Sequence, residues 1–383
     1  MLRFLKLINS MILLLKYCCN ILLITTLLFS GTNIQANETK VAPLKPDTIP
    51  NHEETFKPGE FIITHVLDNH EWHIAHFNGI EITIPLPIIV YSFKQKKLLV
   101  FMSSAFHHGE KSHKGLRLVT NVKNKDKILE VLADGTSIDK QAKLPVDLSI
   151  TKVVLELFII SFIMLWLFLS IAKAYKRRKK QTPHGLQSFI EPVIIFVRDD
   201  IARPSIGLKY EKYLPYLLTI FFFIFISNLL GLVPIFPGGA NLTGNIAITM
   251  VLALFTFAIT SINANANYWK HIVNAPGVPW WLKIPIPLMP IIELIGVFTK
   301  PFVLMVRLFA NITAGHIIAL GFFSLIFIFG KMNTGAGYGI SLLSVIFTIF
   351  MTMLEILVAF IQAYVFTLLS AIYFGLATEE HHH

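Results

Sequence analysis

The strongest constraint on this fold is a pair of very long apolar stretches near the C-terminal end. Residues 284–330 form an apolar run of 47 residues, and residues 340–377 form one of 38. A helix that crosses a bilayer at right angles uses only about 20 residues. Both helices are therefore predicted to tilt strongly or to lie partly within the membrane plane. Between them, the Gly-rich residues 331–339 predict a flexible turn and hence an antiparallel hairpin.

The composition agrees with a membrane protein. Hydrophobic residues make up 54% of the chain and charged residues 15%, whereas soluble domains average about 45–50% and about 25%. The net charge of +10 could suggest a nucleic-acid partner. However, six basic residues between Lys173 and Lys180 directly follow an apolar span, which is typical of a cytoplasmic topology marker. We therefore expect membrane lipid as a partner and no nucleic acid.

Three shorter apolar segments precede the hairpin. Residues 153–171, 214–233 and 245–262 are each predicted to cross the membrane, starting from the outside. Residues 186–206 mix apolar and charged side chains, which favours an amphipathic helix on the cytoplasmic surface. The sequence thus predicts an all-α polytopic protein with five crossings, a polar cytoplasmic loop at 263–283 and a cytoplasmic C-terminus.

The N-terminal part has a different character. Residues 1–36 resemble a secretory signal peptide cleaved after Ala36, although the large Ile34 leaves an uncleaved anchor possible. Residues 37–148 are rich in histidine and alternate at 80–84, which predicts a small extracytoplasmic domain with β structure. The membrane domain then occupies residues 149–383.

Neither a metal site nor a cofactor site is predicted. The histidines of the N-terminal part do not form a zinc-protease motif, because only two residues separate His70 from His73. Cys18 and Cys19 both lie in the first apolar stretch and provide no disulfide framework. No Gly-rich phosphate loop is present, so we expect the chain to have no nucleotide site of its own.

A polar stripe runs along the first long helix. Glu293, Lys300 and Arg307 recur every seven residues, and Asn311 follows four residues later, which places all four on one face. Arg307 lies 23 residues from either end of its apolar run, too deep to reach the surface. Its insertion costs at least about 2.5–3.5 kcal/mol. A functional charge is favoured over a structural arginine bonded to a carbonyl.

The second long helix provides partners for this stripe. If Arg307 and Gln362 lie at the same depth, the midpoint between them falls inside the predicted turn, so the pairing is self-consistent. The same register pairs His316 with Glu355, roughly 10–13 Å further out. A histidine beside a carboxylate can relay protons near neutral pH. An arginine cannot lose its charge in a protein, so Arg307 would act as an electrostatic barrier.

Two segments resemble the signature of subunit a of F-type ATP synthases. They are Lys300-Pro-Phe-Val-Leu-Met-Val-Arg307-Leu-Phe-Ala-Asn311-Ile-Thr-Ala-Gly-His316 and Glu355-Ile-Leu-Val-Ala-Phe-Ile-Gln362-Ala-Tyr-Val-Phe366, and Ser227–Pro234 matches an earlier span of that family. The order of His316 and Glu355 is that of mitochondrial-type members, swapped relative to some bacterial ones.

The resemblance implies a role for each of these residues. Arg307 would face the essential carboxylate of the c subunit, with Asn311 and Gln362 beside it. His316 and Glu355 would lie in an outer half-channel, and Glu293 would lie near an inner one. The implied partners are a c-subunit ring, a b-subunit peripheral stalk and the rest of the ATP synthase, and the implied location is a bacterial inner membrane.

Two alternative functions remain at this point, and the coupled ion is also open. A secondary transporter or channel could use Arg307 to bind an anion, and inverted repeats would support it, but none relates the first three spans to the hairpin. A passive scaffold with an extracytoplasmic binding module would leave the polar groups of matched depth unexplained. Within the family that the sequence resembles, the coupled ion could be H⁺ or Na⁺.

Overall fold

The computed structural model describes most of the chain beyond residue 67. The described ranges are 68–77, 80–109, 111–119, 127–132, 137–139, 142–177, 185–233, 236–273, 288–332 and 334–379. The predicted signal segment 1–36 and its cysteines lie outside them. The chain divides into two compact units, one holding Lys152–Ala314 and Met353–His383 and the other Thr26–Thr151 and Gly315–Thr352.

The N-terminal part is built from short antiparallel strands, as expected from its alternating residues. The strands are β1 Glu71–Phe77, β2 Ile80–Pro85, β3 Pro87–Ser92, β4 Lys97–Met102, β5 Leu116–Val119, β6 Lys127–Glu130 and β7 Val146–Asp147, with a 3-10 helix at Ser103–Gly109. Strand β2 covers the segment whose pattern predicted a strand, and it pairs with β1. The order β4-β3-β7 forms a three-stranded sheet, and β5 pairs with β6.

The core of this part forms because β3 alternates between two environments. Ile88 and Val90 point inward and are fully buried, together with Phe106 and Leu116. The intervening residues of β3 point to the other face of the sheet. One face of the three-stranded sheet therefore packs on a core, and the second face does not contribute to it.

The rest of the chain is helical. The helices are α1 Lys152–Arg177, α2 Leu186–Phe196, α3 Arg203–Ile206, α4 Tyr210–Gly231, α5 Ile246–Asn263, α6 Ala266–Val273, α7 Leu288–Met332 and α8 Thr334–Thr378, with a π-helical segment at Val197–Ala202 and a 3-10 turn at Gly207–Lys209. Among the described residues, five helical segments are long and apolar enough to cross a membrane. The chain is thus a multi-pass membrane protein.

The shorter spans agree with the sequence prediction, and their surroundings show one difference. Helix α5 begins after Asn245, whose side chain caps it by accepting a hydrogen bond from the Ala247 N–H. The predicted loop at 263–283 instead contains helix α6. Asn265 explains this start, since its N–H donates to the carbonyl of Ala377 and its own carbonyl accepts from Tyr268.

The hairpin has a longer second helix than predicted and a shorter turn. Helices α7 and α8 have 45 residues each, and α8 begins at Thr334. The predicted turn at 331–339 is therefore wrong for most of its length. A Cβ atom on Gly337 would lie 2.8 Å from the Cα of Gly330, so the missing side chain lets the two helices approach closely beside the turn.

The register of the hairpin agrees with the antiparallel pairing expected from the sequence. The rings of Phe322 and Phe347 stack with centroids 5.2 Å apart and an interplanar angle of 9°. This pair has the same midpoint as Arg307 and Gln362. The tilt of the hairpin in a membrane stays a prediction.

Helix α4 lies at the centre of the membrane core. In the helical segment that contains α4, 78% of the residues in the most apolar 18-residue stretch are buried, against 6% in α7 and 11% in α8. Aromatic side chains join the helices: Phe168 on α1 meets Phe222 at 5.1 Å, and Tyr213 stacks on Phe374 of α8 at 5.0 Å. The hairpin leaves most of its apolar surface uncovered.

Candidate functional site

Arg307 lies on an open face of α7. Arg307 and Asn311 are both exposed, and so are Val303, Ala310 and Ala314 at helical spacing along the same side. The opposite side of the helix packs into the core through Leu304, Met305 and Leu308. The sequence prediction that Arg307 and Asn311 share a face agrees with this arrangement.

Within the described part of the chain, the guanidinium of Arg307 makes no hydrogen bond and no ion pair. Five N–H donors at this depth of an apolar helix need acceptors, because an unsatisfied polar group in hydrocarbon is costly. The face is therefore suited to a partner that carries an acceptor or a negative charge.

Gln362 lies on the packed side of α8. Its exposed fraction is 4%, and its neighbours Ala359 and Ala363 are also buried. No hydrogen bond among the residues described joins Gln362 to Arg307. The pairing of these two residues at one depth stays a prediction.

The end of the polar stripe of α7 that carries Lys300 lies beside two tyrosines. The Lys300 ammonium lies 5.4 Å from the ring centre of Tyr373 on α8 and 5.9 Å from that of Tyr268 on α6. Such cation–π contacts stabilise a partly desolvated cation. Glu293, seven residues earlier, is half-buried.

A small cavity with a mixed polar and apolar lining opens beside Lys300, and it has room for about one water molecule. Its polar wall is formed by Lys300, the two tyrosines and the hydroxyl residues of α5, namely Thr256, Thr260 and Ser261. A space with this many donors and acceptors can hold water.

Thr256, which lines this cavity, also belongs to a group of buried hydroxyls that joins three helices. The Oγ1 atom of Thr256 lies 2.8 Å from the Tyr216 hydroxyl on α4 and 3.3 Å from the Ser370 Oγ on α8. All three side chains are buried. A hydroxyl both donates and accepts, so such a chain can pass a proton or hold a water molecule in place.

The sequence analysis did not identify these hydroxyls, although a signal exists. Thr249, Thr256 and Thr260 are seven and four residues apart in α5, so they lie on one face. All three are buried. Polar residues repeated on one face of an apolar span could have marked this side of α5 as a polar path.

A second contact holds α8 beside α4. The Asn228 amide donates to the Ala359 carbonyl, 3.4 Å away, and its side-chain oxygen accepts from the Thr243 hydroxyl at 2.6 Å. Asn228 and Thr243 are buried. Because Ala359 lies one turn before Gln362, this contact helps to set the depth of Gln362. The spacing of residues in the sequence could not reveal this hydrogen bond, since 131 residues separate Asn228 from Ala359.

His316 and Glu355 lie on α7 and α8 respectively, and each is half-buried. Their pairing as a proton relay stays a prediction. Across the residues that the structure describes, no group of three or more His, Cys, Asp and Glu side chains could hold a metal ion.

One histidine of the N-terminal part has a structural role. His70 is buried, and its Nε2 atom lies 2.8 Å from Asp147 Oδ2. Burial opposes ionisation of Asp147, but the hydrogen bond and charge of His70, with hydrogen bonds from Ser149, hold the pKa of this carboxyl below its usual value. The pair ties the start of β1 to β7.

Comparison with known proteins shows two matches to protein families. The family described as ATP synthase A chain matches residues 154–375, which include all six predicted site residues. A domain of unknown function (DUF8433) matches residues 61–148. The second match covers the histidine-rich part that precedes the first span.

Individual relatives agree with the first of these families. "ATP synthase subunit a" of Chloroherpeton thalassium is 42% identical over 243 residues, which cover 62% of this chain and 69% of the relative. "ATP synthase subunit a 2" of Prosthecochloris aestuarii is 48% identical over 244 residues, covering 62% and 71%. "ATP synthase subunit a" of an Anaeromyxobacter species is 38% identical over 273 residues, covering 67% and 62%.

Proposed function

The chain belongs to the ATP synthase A chain family, and from that premise we propose that it is the proton-translocating stator subunit of an F-type ATP synthase. In this role it passes protons to and from a rotating ring of c subunits. It performs no nucleotide chemistry itself. The other expected partners are the b-subunit peripheral stalk and the rest of the ATP synthase.

The observation that supports this proposal best is the open face of α7 that carries Arg307. A charge placed there, with no hydrogen bond or ion pair to the residues that the structure describes, is costly in a membrane, so the face favours a partner that compensates it. The small side chains of Ala310 and Ala314 are exposed on the same face. They allow another helix to approach closely.

Arg307 has two tasks in the proposed mechanism. Its fixed positive charge favours the ionised form of a carboxylic acid on the passing ring, and so it draws a proton off that acid. For unit charges 4 Å apart at an effective dielectric constant of about 20, the attraction is about 4 kcal/mol. The same charge repels protons, which prevents a direct leak between inlet and outlet. Asn311 and Gln362 supply further polar groups beside the acid.

Protons reach and leave Arg307 through two offset half-channels. His316 and Glu355 line the outer one, where imidazole and carboxylate exchange protons near neutral pH. The inner one starts at Glu293 and the cavity beside Lys300. Its hydroxyl chain at Thr256 gives a polar route between α4, α5 and α8.

The proposed topology assigns each part of the chain to one side of the membrane. The protein lies in a bacterial inner membrane with a signal peptide at residues 1–36, an extracytoplasmic domain at 37–148 and a membrane domain at 149–383. The C-terminus is cytoplasmic, α2 and α3 lie on the cytoplasmic surface, and the α7–α8 hairpin is strongly tilted.

Cross-linking in the assembled enzyme tests the partner of the Arg307 face. Ala310→Cys places a thiol on the open face, and Leu308→Cys places one on the packed face, in a chain with Cys18 and Cys19 changed to Ser. With a scanning cysteine on the outer helix of the c subunit, oxidation should link the Ala310 variant to the ring subunit and leave the Leu308 variant unlinked. A chain that assembles but links at neither position, or equally at both, would refute the proposed ring contact.

A further inference from the structure

The outer face of the three-stranded sheet is apolar and uncovered. On β4 the side chains of Leu98, Val100 and Met102 are 56%, 56% and 45% exposed. Opposite them on β3 lie Tyr91, Ile89 and Pro87 in the order of the strand register. Six apolar side chains thus form one continuous surface, since residues two apart in a strand share a face. Soluble surfaces rarely contain such a patch without a binding role.

Basic side chains border this sheet face. Lys96 and Lys97 are exposed where the β3–β4 turn leads into β4. The Lys114 ammonium reaches the edge of β4, 3.4 Å from the Val100 carbonyl. At the turn, the Lys143 ammonium lies 4.4 Å from the ring centre of Phe93.

The acidic side chains of the same region are already engaged. Between residues 87 and 148 the structure describes three of them. Glu130 is buried and accepts from the Ser92 hydroxyl at 2.7 Å. Asp139 pairs with Lys94 at 2.8 Å, and Asp147 pairs with His70 at 2.8 Å. Among the described residues, the charge left to solvent beside the sheet face is therefore positive.

The sheet is also tethered to the start of the first span. The N–H of Leu148 donates to the Ile89 carbonyl at 2.8 Å, and the N–H of Ile150 donates to the Pro87 carbonyl at 3.1 Å. Helix α1 begins two residues later, at Lys152. Each residue spans at most about 3.6 Å, so the edge of this sheet cannot move far from the membrane surface at which α1 begins.

We propose that the outer face of the β3–β4 hairpin docks onto the anionic lipid headgroups of the membrane at the end where α1 begins. The aliphatic side chains enter the boundary between headgroups and acyl chains, with Tyr91 at the level where tyrosine is enriched. The bordering lysines bind the lipid phosphates. This docking orients the N-terminal part on the bilayer and does not depend on the proton path.

Quenching of a fluorescent label in the full-length chain tests the docking. The label is an environment-sensitive fluorophore on Val100→Cys, in a chain with Cys18→Ser and Cys19→Ser and reconstituted at one copy per nanodisc. The nanodiscs contain phosphatidylcholine alone or with phosphatidylglycerol. A matched control places the label at Lys127→Cys, which is exposed on β6 of a different sheet.

The proposal predicts a different result for each label. With phosphatidylglycerol present, the label at residue 100 should shift its emission to the blue, lose access to aqueous iodide and be quenched by lipid-borne nitroxide. High salt or Lys96→Glu with Lys97→Glu should weaken this quenching. The label at residue 127 should stay accessible to iodide throughout.

Two outcomes would overturn the proposal. Equal iodide access at residues 100 and 127 in anionic nanodiscs would show that the face stays in water. Loss of iodide access at residue 100 without quenching by the lipid nitroxide would show that protein covers the face instead.

Discussion

At the scale of single residues, Arg307 and Asp147 are two charges in opposite situations. Arg307 is exposed on its helix and has no internal partner within the described chain, whereas Asp147 shares a hydrogen bond with a buried histidine. A charge that is paired internally stabilises the fold. A charge left unpaired in a membrane segment is available for function.

The pairing of Asp147 makes the N-terminal part sensitive to acid. Because the pKa of Asp147 is lowered in the folded protein, its stabilisation is fully present above about pH 4, where the unfolded side chain titrates. This stabilisation is lost as the pH falls through the lowered, folded pKa. Hydrogen-exchange protection factors of β3 amides should fall over that range.

Substitution of Asp147 tests the same effect at neutral pH. Asp147→Asn should lower the protection of β3 by about 1–3 kcal/mol, the usual effect of disrupting a buried charged hydrogen bond. Asp139→Asn is the matched control, since its partner Lys94 is exposed, and it should change little. Equal losses of β3 protection in the two variants would show that the contact between Asp147 and His70 stabilises the fold no more than the exposed pair of Asp139 and Lys94.

The sequence predicts the position of a residue well when its spacing along one helix determines the face on which it lies. The seven-residue spacing of Glu293, Lys300 and Arg307 predicted a shared face, and Arg307 lies on the open side of α7 with Asn311. Contacts between distant segments could not be predicted in this way. The hydrogen bond from Asn228 to Ala359 depends on how α4 and α8 pack, which no local pattern encodes.

At the scale of elements, the C-terminal end of α8 is held by two backbone contacts. The Asn265 N–H donates to the Ala377 carbonyl at 2.8 Å. At Gly375 the backbone of α8 meets the carbonyl of Ser205, and a Cβ atom there would overlap this oxygen. These contacts position the end of α8 that carries Tyr373, which lines the cavity beside Lys300.

The close approach at Gly375 predicts a specific loss of stability. Gly375→Ala should force α8 away from Ser205 and lower the free energy of unfolding by about 1–3 kcal/mol, as overpacking usually does. Gly339→Ala is the control on the same helix, where a Cβ meets nothing within 4 Å. It should be neutral or stabilising by up to about 1 kcal/mol. Thermal unfolding in detergent checks both, and equal midpoints would contradict the contact.

The order of helices was predictable from the sequence, and the ends of the hairpin were not. The length of each apolar stretch was enough to identify the spans, because the thickness of the membrane sets the length that a spanning helix needs. The turn was misplaced because the glycines after residue 333 looked flexible, while in the fold Gly337 lets α7 and α8 approach closely. The local composition of a segment does not show the stability that it gains from packing against a distant part of the chain.

At the scale of the whole molecule, the burial of the spans is uneven. The segment containing α4 is largely enclosed, whereas α7 and α8 expose most of their apolar surface. Lipid can cover much of that surface, but it cannot satisfy a guanidinium at mid-depth. The uneven burial agrees with a subunit whose hairpin faces another membrane protein.

ATP-driven proton uptake into vesicles that carry the complete enzyme tests the role of Arg307 most directly. Arg307→Ala should leave the complex assembled and reduce uptake to background, because no fixed charge then discharges the ring carboxylate. Val303→Ala, on the same exposed face, should pump like the unchanged enzyme. Uptake at the unchanged rate by an assembled Arg307→Ala enzyme would contradict the proposed role of Arg307.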